Sequence, residues 1–512
     1  MARVTATRLH LVFLLCSACG RKPAPTIPAS SDTGDPGPSA CDPYPTDWHE
    51  PELPQTRYGD VAIRPCTMDR WVFDVDALMP TTGSGGPPLL ASAMSGWVAE
   101  IHVLAMPADG ATVVRQEDLD PITISSPDQW YFTSVDASSD LDGDGETDLL
   151  GDTERLTSWV AFGPFDQDRD VQEQGARLYM GDAAQGYGPL NARIVGDVTG
   201  DGRADIAVPT GGGGLGVPGQ NTVALLPGPV DNDIDLMTVP LWVEGLSDDA
   251  YGLSAVVSGG FDADGDGVQD LVVGQYVPTY EHGDALVVYL GPILESRSSS
   301  ESDATLGQYG FNASQPDQYF ADTTGWYQEG GGDMDGDGYE DLVVTNAERD
   351  VGQNRLAGII WVIPGPIHGV QDLDAAATAR ILGAHKLDFL SSTVATRGDM
   401  DADGNPDLVA GVIPEGNGYR FAADPGMRLY LGPLQGTLSF LDGVEFHARR
   451  SDHVRIDQDL DGDGISDMIM TDAHMRRDDS GASYDNVIES GTHLWLSTRS
   501  MEWPRPWAPG NE

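Results

Sequence analysis

The chain has 512 residues, 81 acidic against 28 basic, a formal charge of −53 and 40% hydrophobic residues. That apolar share is enough to bury a large core and excludes a disordered acidic chain. The charge repels phosphates, which excludes a nucleic-acid partner, and it suits a protein that holds cations. The 63 Gly and 35 Pro punctuate short β-rich runs, and no long amphipathic helical stretch is present, so the composition reads as all-β.

In chain order, Arg3 and Arg8 precede the apolar run 9–15, which is too short to span a bilayer and reads as an export signal over residues 1–18. Ser17 and Ala18 lead into Cys19 and Gly20, which looks like a bacterial lipoprotein cleavage box with Cys19 as the lipidated residue. Cys16 stands where such boxes usually carry Leu, and an ordinary signal peptide cut nearby is the alternative. Gly20, with no Asp after the Cys, resembles sorting to the outer membrane of a Gram-negative-type bacterium; the alternative is a secreted or periplasmic protein. Residues 19–56 then form a Pro-, Ser- and Asp-rich tether that cannot build a core. Cys41 and Cys66 are an even pair in an oxidising compartment, which favours one disulfide over two free thiols.

Residues 57–498 read as the folded body and 499–512 as a tail. The body opens with one repeat-length of β-like sequence, 57–118, that has no acidic loop. Six copies of D-x-[DT]-x-D-G-x-x-D follow, 57 to 71 residues apart, each running into an apolar stretch such as "DLVV". Numbered from the first Asp, positions 1, 3, 5, 7 and 9 are Asp140, Asp142, Asp144, Glu146 and Asp148 in the first loop, and Asp197, Thr199, Asp201, Arg203 and Asp205 in the second. They are Asp262, Asp264, Asp266, Val268 and Asp270 in the third, and Asp333, Asp335, Asp337, Tyr339 and Asp341 in the fourth. The fifth has Asp399, Asp401, Asp403, Asn405 and Asp407, and the sixth Asp459, Asp461, Asp463, Ile465 and Asp467. An apolar run ending in Gly-Pro follows each of the first five loops, and "LWLS" takes its place after the sixth. Each unit therefore reads as strand, acidic loop, strand, variable loop, strand, and units of this size bury both faces only by packing radially.

Like charges this close repel unless a cation sits among them. Ca²⁺ takes six to eight oxygens, and positions 1, 3, 5 and 9 offer side chains while position 7 offers its carbonyl; the Gly at position 6 permits the turn. An EF-hand would need a bidentate Glu at position 12 and flanking helices. Position 12 is Val208, Val273, Val344 or Ala410 inside a β-type run. Mg²⁺ prefers fewer protein ligands. About six Ca²⁺ sites are expected, with the second weakened by Thr199.

The Asp-rich loop with its following "DLVV" strand resembles the FG-GAP repeats of integrin α-subunit N-terminal β-propellers and of bacterial integrin-like repeat proteins, over roughly residues 115–497. Tyr-Gly, at Tyr187 and Tyr251, stands in place of Phe-Gly. The resemblance implies a propeller of four-stranded blades with Ca²⁺ in the loop between the first two strands. Seven blades are expected, six of them with loops, and six blades are the alternative. A strand near Val61 or Trp71 is expected to close the ring.

Function is read as non-catalytic: a surface-exposed binding or adhesion module for a protein or glycan, monomeric, touching the membrane only through its lipid anchor. A structural envelope lipoprotein and a propeller-type polysaccharide lyase or hydrolase are the alternatives. The connections at 211–221 and 295–318 are long and polar or Gly-rich, as ligand-binding loops are. Gly211, Gly213 and Gly216 match a dinucleotide fingerprint in spacing alone, since no helix pattern follows. Arg397-Gly398-Asp399 spells a tripeptide that integrins recognise, but Asp399 is the first ligand of the fifth loop.

Overall fold

A computed structural model describes residues 61–64, 72–79, 88–94, 99–106, 113–126, 129, 131–153, 157–180, 191–210, 222–245, 256–274, 285–307, 328–386, 388–390, 393–412, 426–446, 453–476 and 486–497. Cys19, Cys41, Cys66, the 211–221 connection, Tyr187, Tyr251 and the 499–512 tail lie outside the described residues.

Seven sheets follow one another along the chain and form seven blades. Blade 1 runs Val72–Leu78, Leu89–Met94, Ala99–Ala105, Ile122–Ser126; blade 2 runs Phe132–Asp136, Leu149–Thr153, Thr157–Ala161, Gly175–Tyr179. Blade 3 is Arg193–Gly196, Asp205–Pro209, Thr222–Leu226, Trp242–Glu244, and blade 4 is Val256–Phe261, Asp270–Gly274, Ala285–Tyr289, Ala304–Gly307. Blade 5 is Gln328–Gly332, Asp341–Asn346, Ile359–Ile363, Ala379–Leu382, and blade 6 is Thr393–Ala395, Leu408–Gly411, Met427–Tyr430, Val444–Phe446. Blade 7 takes Val454–Gln458, Asp467–Arg476 and Asn486–Trp495 from the end of the body and its outermost strand, Val61–Arg64, from the beginning. The strand near Val61 is thus the one that closes the ring. The strand after Trp71 is instead the innermost of blade 1, whose partners are its own Leu89–Met94.

The apolar runs are continuous because both faces of a blade are buried. In Ile359–Ile363 all five residues are buried; Ile359, Trp361 and Ile363 face blade 4, while Ile360 and Val362 face blade 6. This period of two sends alternate side chains to opposite faces of the sheet. The core is accordingly divided into seven clusters, each shared by two neighbouring blades, and the last joins Val75 and Leu90 of blade 1 to Ile469 and Leu494 of blade 7.

A further pairing links the blades at the rim. After the third strand of blades 1 to 6, the chain crosses to the preceding blade in the ring and pairs in parallel with its outer strand. Arg169–Asp170 adds to blade 1, Ile234–Asp235 to blade 2, Gly369–Asp372 to blade 4 and Gly436–Ser439 to blade 5. Arg297 makes a single bridge to Val243 of blade 3, and Val113–Arg115 pairs with the closing strand Val61–Arg64. These short latches cover edges that would otherwise present unpaired backbone groups. They also correct one expectation. The stretch 295–318 is not a single variable loop, because its first part is the Arg297 latch and Ala304–Gly307 is the outer strand of blade 4.

Candidate metal centres

Each acidic loop joins the innermost strand of a blade to the second. The loops and latches therefore share one face of the ring. Connections from second to third strand, and from each outer strand to the next blade, start and end on the opposite face.

In all six loops the first Asp organises the turn: its Oδ2 accepts the position-6 N–H at 2.8–2.9 Å. Gly occupies position 6 because the backbone there is left-handed, with φ +98° at Gly338. The position-5 Asp accepts the position-7 N–H at 2.8–3.0 Å, which turns the chain back toward the second strand.

The ninth residue is a buried strut. In the fourth loop, Asp341 Oδ2 accepts N–H groups from Met334 at 2.9 Å and Asp335 at 3.1 Å, while Oδ1 accepts the Gly365 N–H at 3.1 Å. Gly365 belongs to the Gly-Pro that ends the third strand. Asp148, Asp205, Asp270 and Asp407 reach Gly163, Gly228, Gly291 and Gly432 in the same way. The sixth loop, which has no Gly-Pro, uses the Ser497 N–H at 2.7 Å from Asp467. The recurring Gly is a matter of space: a Cβ on Gly365 would lie 2.6 Å from Tyr339 Cβ and 2.8 Å from the Glu340 carbonyl. All five Gly-Pro bonds are cis.

Carboxylate oxygens at positions 1, 3 and 9 converge within 4.8 Å of one another in five loops: Asp140/Asp142/Asp148, Asp262/Asp264/Asp270, Asp333/Asp335/Asp341, Asp399/Asp401/Asp407 and Asp459/Asp461/Asp467. The position-5 residues Asp144, Asp266, Asp337, Asp403 and Asp463 stand outside these groups. The second loop keeps the backbone pattern, with the Thr199 N–H on Asp205 at 2.9 Å, but Thr199 removes one carboxylate. Of the position-7 residues, Ile465 is buried and the Tyr339 ring is exposed, lying over Gly265 of the preceding loop.

This donor set fits a hard cation. All donors are oxygens, and two oxygens bound to one Ca²⁺ at about 2.3–2.6 Å stand at most about 5 Å apart. Burial pushes the strut carboxyls of Asp148, Asp270, Asp341 and Asp467 up to about 7 and that of Asp407 to about 8, despite the N–H groups that hold their charged forms. A cation among them relieves that penalty. The strut also works without a cation. We expect Asp341→Asn to destabilise the protein by about 2 kcal/mol even in chelator, because the amide cannot accept every N–H that the carboxylate does. Asp335→Asn is expected to lower stability in Ca²⁺ alone. Urea titrations with and without EDTA separate the two.

The sequence reading missed a second group of charges, at the ring's axis. Asp74 and Asp76 are buried on the innermost strand of blade 1. Asp74 accepts the Val135 N–H at 3.1 Å and Asp76 the Ala137 N–H at 2.9 Å, both from blade 2. From blade 7, His453 Nδ1 stands 3.2 Å from Asp74 and Arg455 Nε 3.9 Å from Asp76. Arg455 also feels Glu329 of blade 5 and Asp457. Burial raises Asp76 and Glu329 to about 7, with Arg455 opposing both. Arg397, after the innermost strand of blade 6, ties blades 5 and 4 to it, donating to the Gly330 carbonyl at 2.8 Å and the Gly259 carbonyl at 3.1 Å. The Arg-Gly-Asp tripeptide is therefore structural at both ends. His385 sits in an ordinary turn, its N–H on Asp388 at 2.6 Å.

Residues 325–363, which hold the innermost strand, acidic loop and next two strands of blade 5, match the family model of the FG-GAP repeat.

Proposed function

We propose that this chain, an FG-GAP β-propeller protein, is a calcium-stiffened, non-catalytic binding module for a protein or glycan. The observation that carries the reading is the division of labour between the two faces. Acidic loops, struts and latches crowd one face, while the long variable connections leave from the other. Holding the ring rigid from one side pre-organises the connections on the opposite side, which lowers the entropic cost of engaging a partner. Ca²⁺ affinities of about 10⁻⁴–10⁻³ M suit an extracellular module of this kind. Export, with Cys19 as the lipid anchor, puts the module on the outer surface. Among the described residues no helix is long and apolar enough to cross a membrane.

The test uses purified protein on a glycan array and on envelope fractions treated with periodate or protease. We expect saturable binding that is lost when the 308–327 connection is replaced by a Gly-Ser stretch of equal length, with melting unchanged. Periodate-sensitive binding identifies a glycan ligand, and protease-sensitive binding a protein. Turnover of a labelled polysaccharide would transfer the reading to the enzyme class. Binding to neither fraction would leave a structural envelope protein.

A further inference from the structure

We propose that the residue at loop position 8 positions the first ligand of the preceding blade's loop, so that the cation sites are coupled in two strings instead of acting independently. The inference rests on the cation reading above and concerns contacts between blades.

Gln269, position 8 of the third loop, accepts the Asp197 N–H on Oε1 at 2.7 Å and returns its own N–H to the Asp197 carbonyl at 3.3 Å. A Cβ on Gly196 would overlap the Gln269 amide, so that glycine is the space the contact needs. Glu340, position 8 of the fourth loop, accepts the Asp262 N–H at 3.1 Å. Ser466, position 8 of the sixth, accepts the Asp399 N–H on Oγ at 3.1 Å and donates its N–H to the Asp399 carbonyl at 3.2 Å. The partner is each time the first Asp, whose carboxylate closes the turn and joins the converging group in the third and fifth loops. Thr147 makes the same reach to the Met79 carbonyl of blade 1 at 2.9 Å, where there is no acidic loop. The contact therefore belongs to the blade geometry, and the acidic loops have been placed under it.

Two junctions lack the contact. Position 8 is Ala204 facing the first loop, with no side-chain acceptor, and Pro406 facing the fourth, with neither an acceptor nor an N–H. Pro406 meets blade 5 through apolar contact, its Cγ standing 2.9 Å from where a Cβ on Gly332 would be. A second inter-blade bond is shared by both kinds of junction: the position-2 carbonyls of Leu141, Val198, Ala263 and Met334 accept N–H groups from Val230, Ile293, Ile367 and Leu434. It sets a common background and cannot distinguish the sites. The strings are then the second, third and fourth loops, and the fifth and sixth, with the first alone and the break at Pro406. Linkage is reciprocal, so a cation in the third loop tightens the second and the reverse.

The experiment follows hydrogen exchange in peptides from each loop of the whole exported protein as Ca²⁺ is titrated. Gln269→Ala should raise the Ca²⁺ midpoint of the second loop by roughly three- to ten-fold, the effect of one lost hydrogen bond, and leave the first, fifth and sixth unchanged. Ser466→Ala should do the same to the fifth and, by reciprocity, raise that of the sixth, leaving the first four unchanged. Gln269→Glu, which keeps the acceptor, should restore the midpoint. Unchanged midpoints in the preceding loop, or equal shifts in all loops, would overturn the coupling while leaving the cation reading intact. Absence of Ca²⁺-dependent protection in the unaltered protein would overturn both.

Discussion

Replacing Arg455 with Ala is expected to destabilise the ring by about 3 kcal/mol, the cost of stranding buried charges whose partner has been removed. Burial works against the charge of Arg455, and Asp76, Asp74, Glu329 and Asp457 outweigh it. Without the guanidinium these acids face one another across the axis. Asp76 and Glu329 already stand near 7 with Arg455 in place. A carboxyl whose folded pKa lies above its unfolded value adds stability at low pH and loses it as pH rises through the folded pKa. In the variant both carboxyls move further up, so the deficit should be larger at pH 8 than at pH 5. Urea titrations at the two pH values check this, and an equal or reversed deficit would mean that Arg455 does not neutralise this group.

Deleting Val61–Arg64 is expected to cost on the order of 5 kcal/mol, at about 1 kcal/mol for each backbone hydrogen bond lost. The strand is bonded on both sides, to 492–494 of blade 7 and to 113–115 of blade 1, so its removal exposes the edge of Asn486–Trp495 and frees the latch as well. The blade-7/blade-1 cluster, with Leu104 and Leu460, then loses the strand that ties its two sheets together. Because each blade is stable only through its neighbours, the melting transition should fall by about 5 °C while remaining one cooperative step. The open edge should also promote dimers at high concentration. A transition unchanged in position would show that blade 7 holds without its N-terminal strand.

What the sequence revealed and what it hid divide along the range of the interactions. The acidic loops were legible because their spacing is local: Asp333 and Asp341 are eight residues apart, and the turn between them needs Gly338 wherever it occurs. The blade count followed from the repeat length, and the continuous run 359–363 already pointed to a sheet buried on both faces. The role of Gly-Pro was hidden. Its glycine recurs visibly, yet the space it must leave open is taken by loop positions 7 and 8, and its N–H is held by the carboxylate of a residue 15 to 25 positions earlier. The latches were hidden because two to four residues such as Arg169–Asp170 show no alternation to read. The Asp residues capping the turns just after them, Asp170, Asp235 and Asp372, were the available signal. "VFDVDAL" reads as a half-exposed strand, apolar alternating with acid, because nothing local shows that Asp74 and Asp76 meet His453 and Arg455 at the far end of the chain.

The central claim is that these loops hold calcium and that calcium stiffens the ring. It is tested most directly by counting the metal retained after equilibrium dialysis against about 1 mM Ca²⁺ and melting the same sample with and without EDTA. The account predicts one Ca²⁺ per acidic loop, about six per chain with the Thr199 loop filling last, and a chelator-dependent loss of stability of about 1.4 kcal/mol for each site with a Kd near 10⁻⁴ M. Protein that retains no calcium and melts identically in EDTA would contradict it.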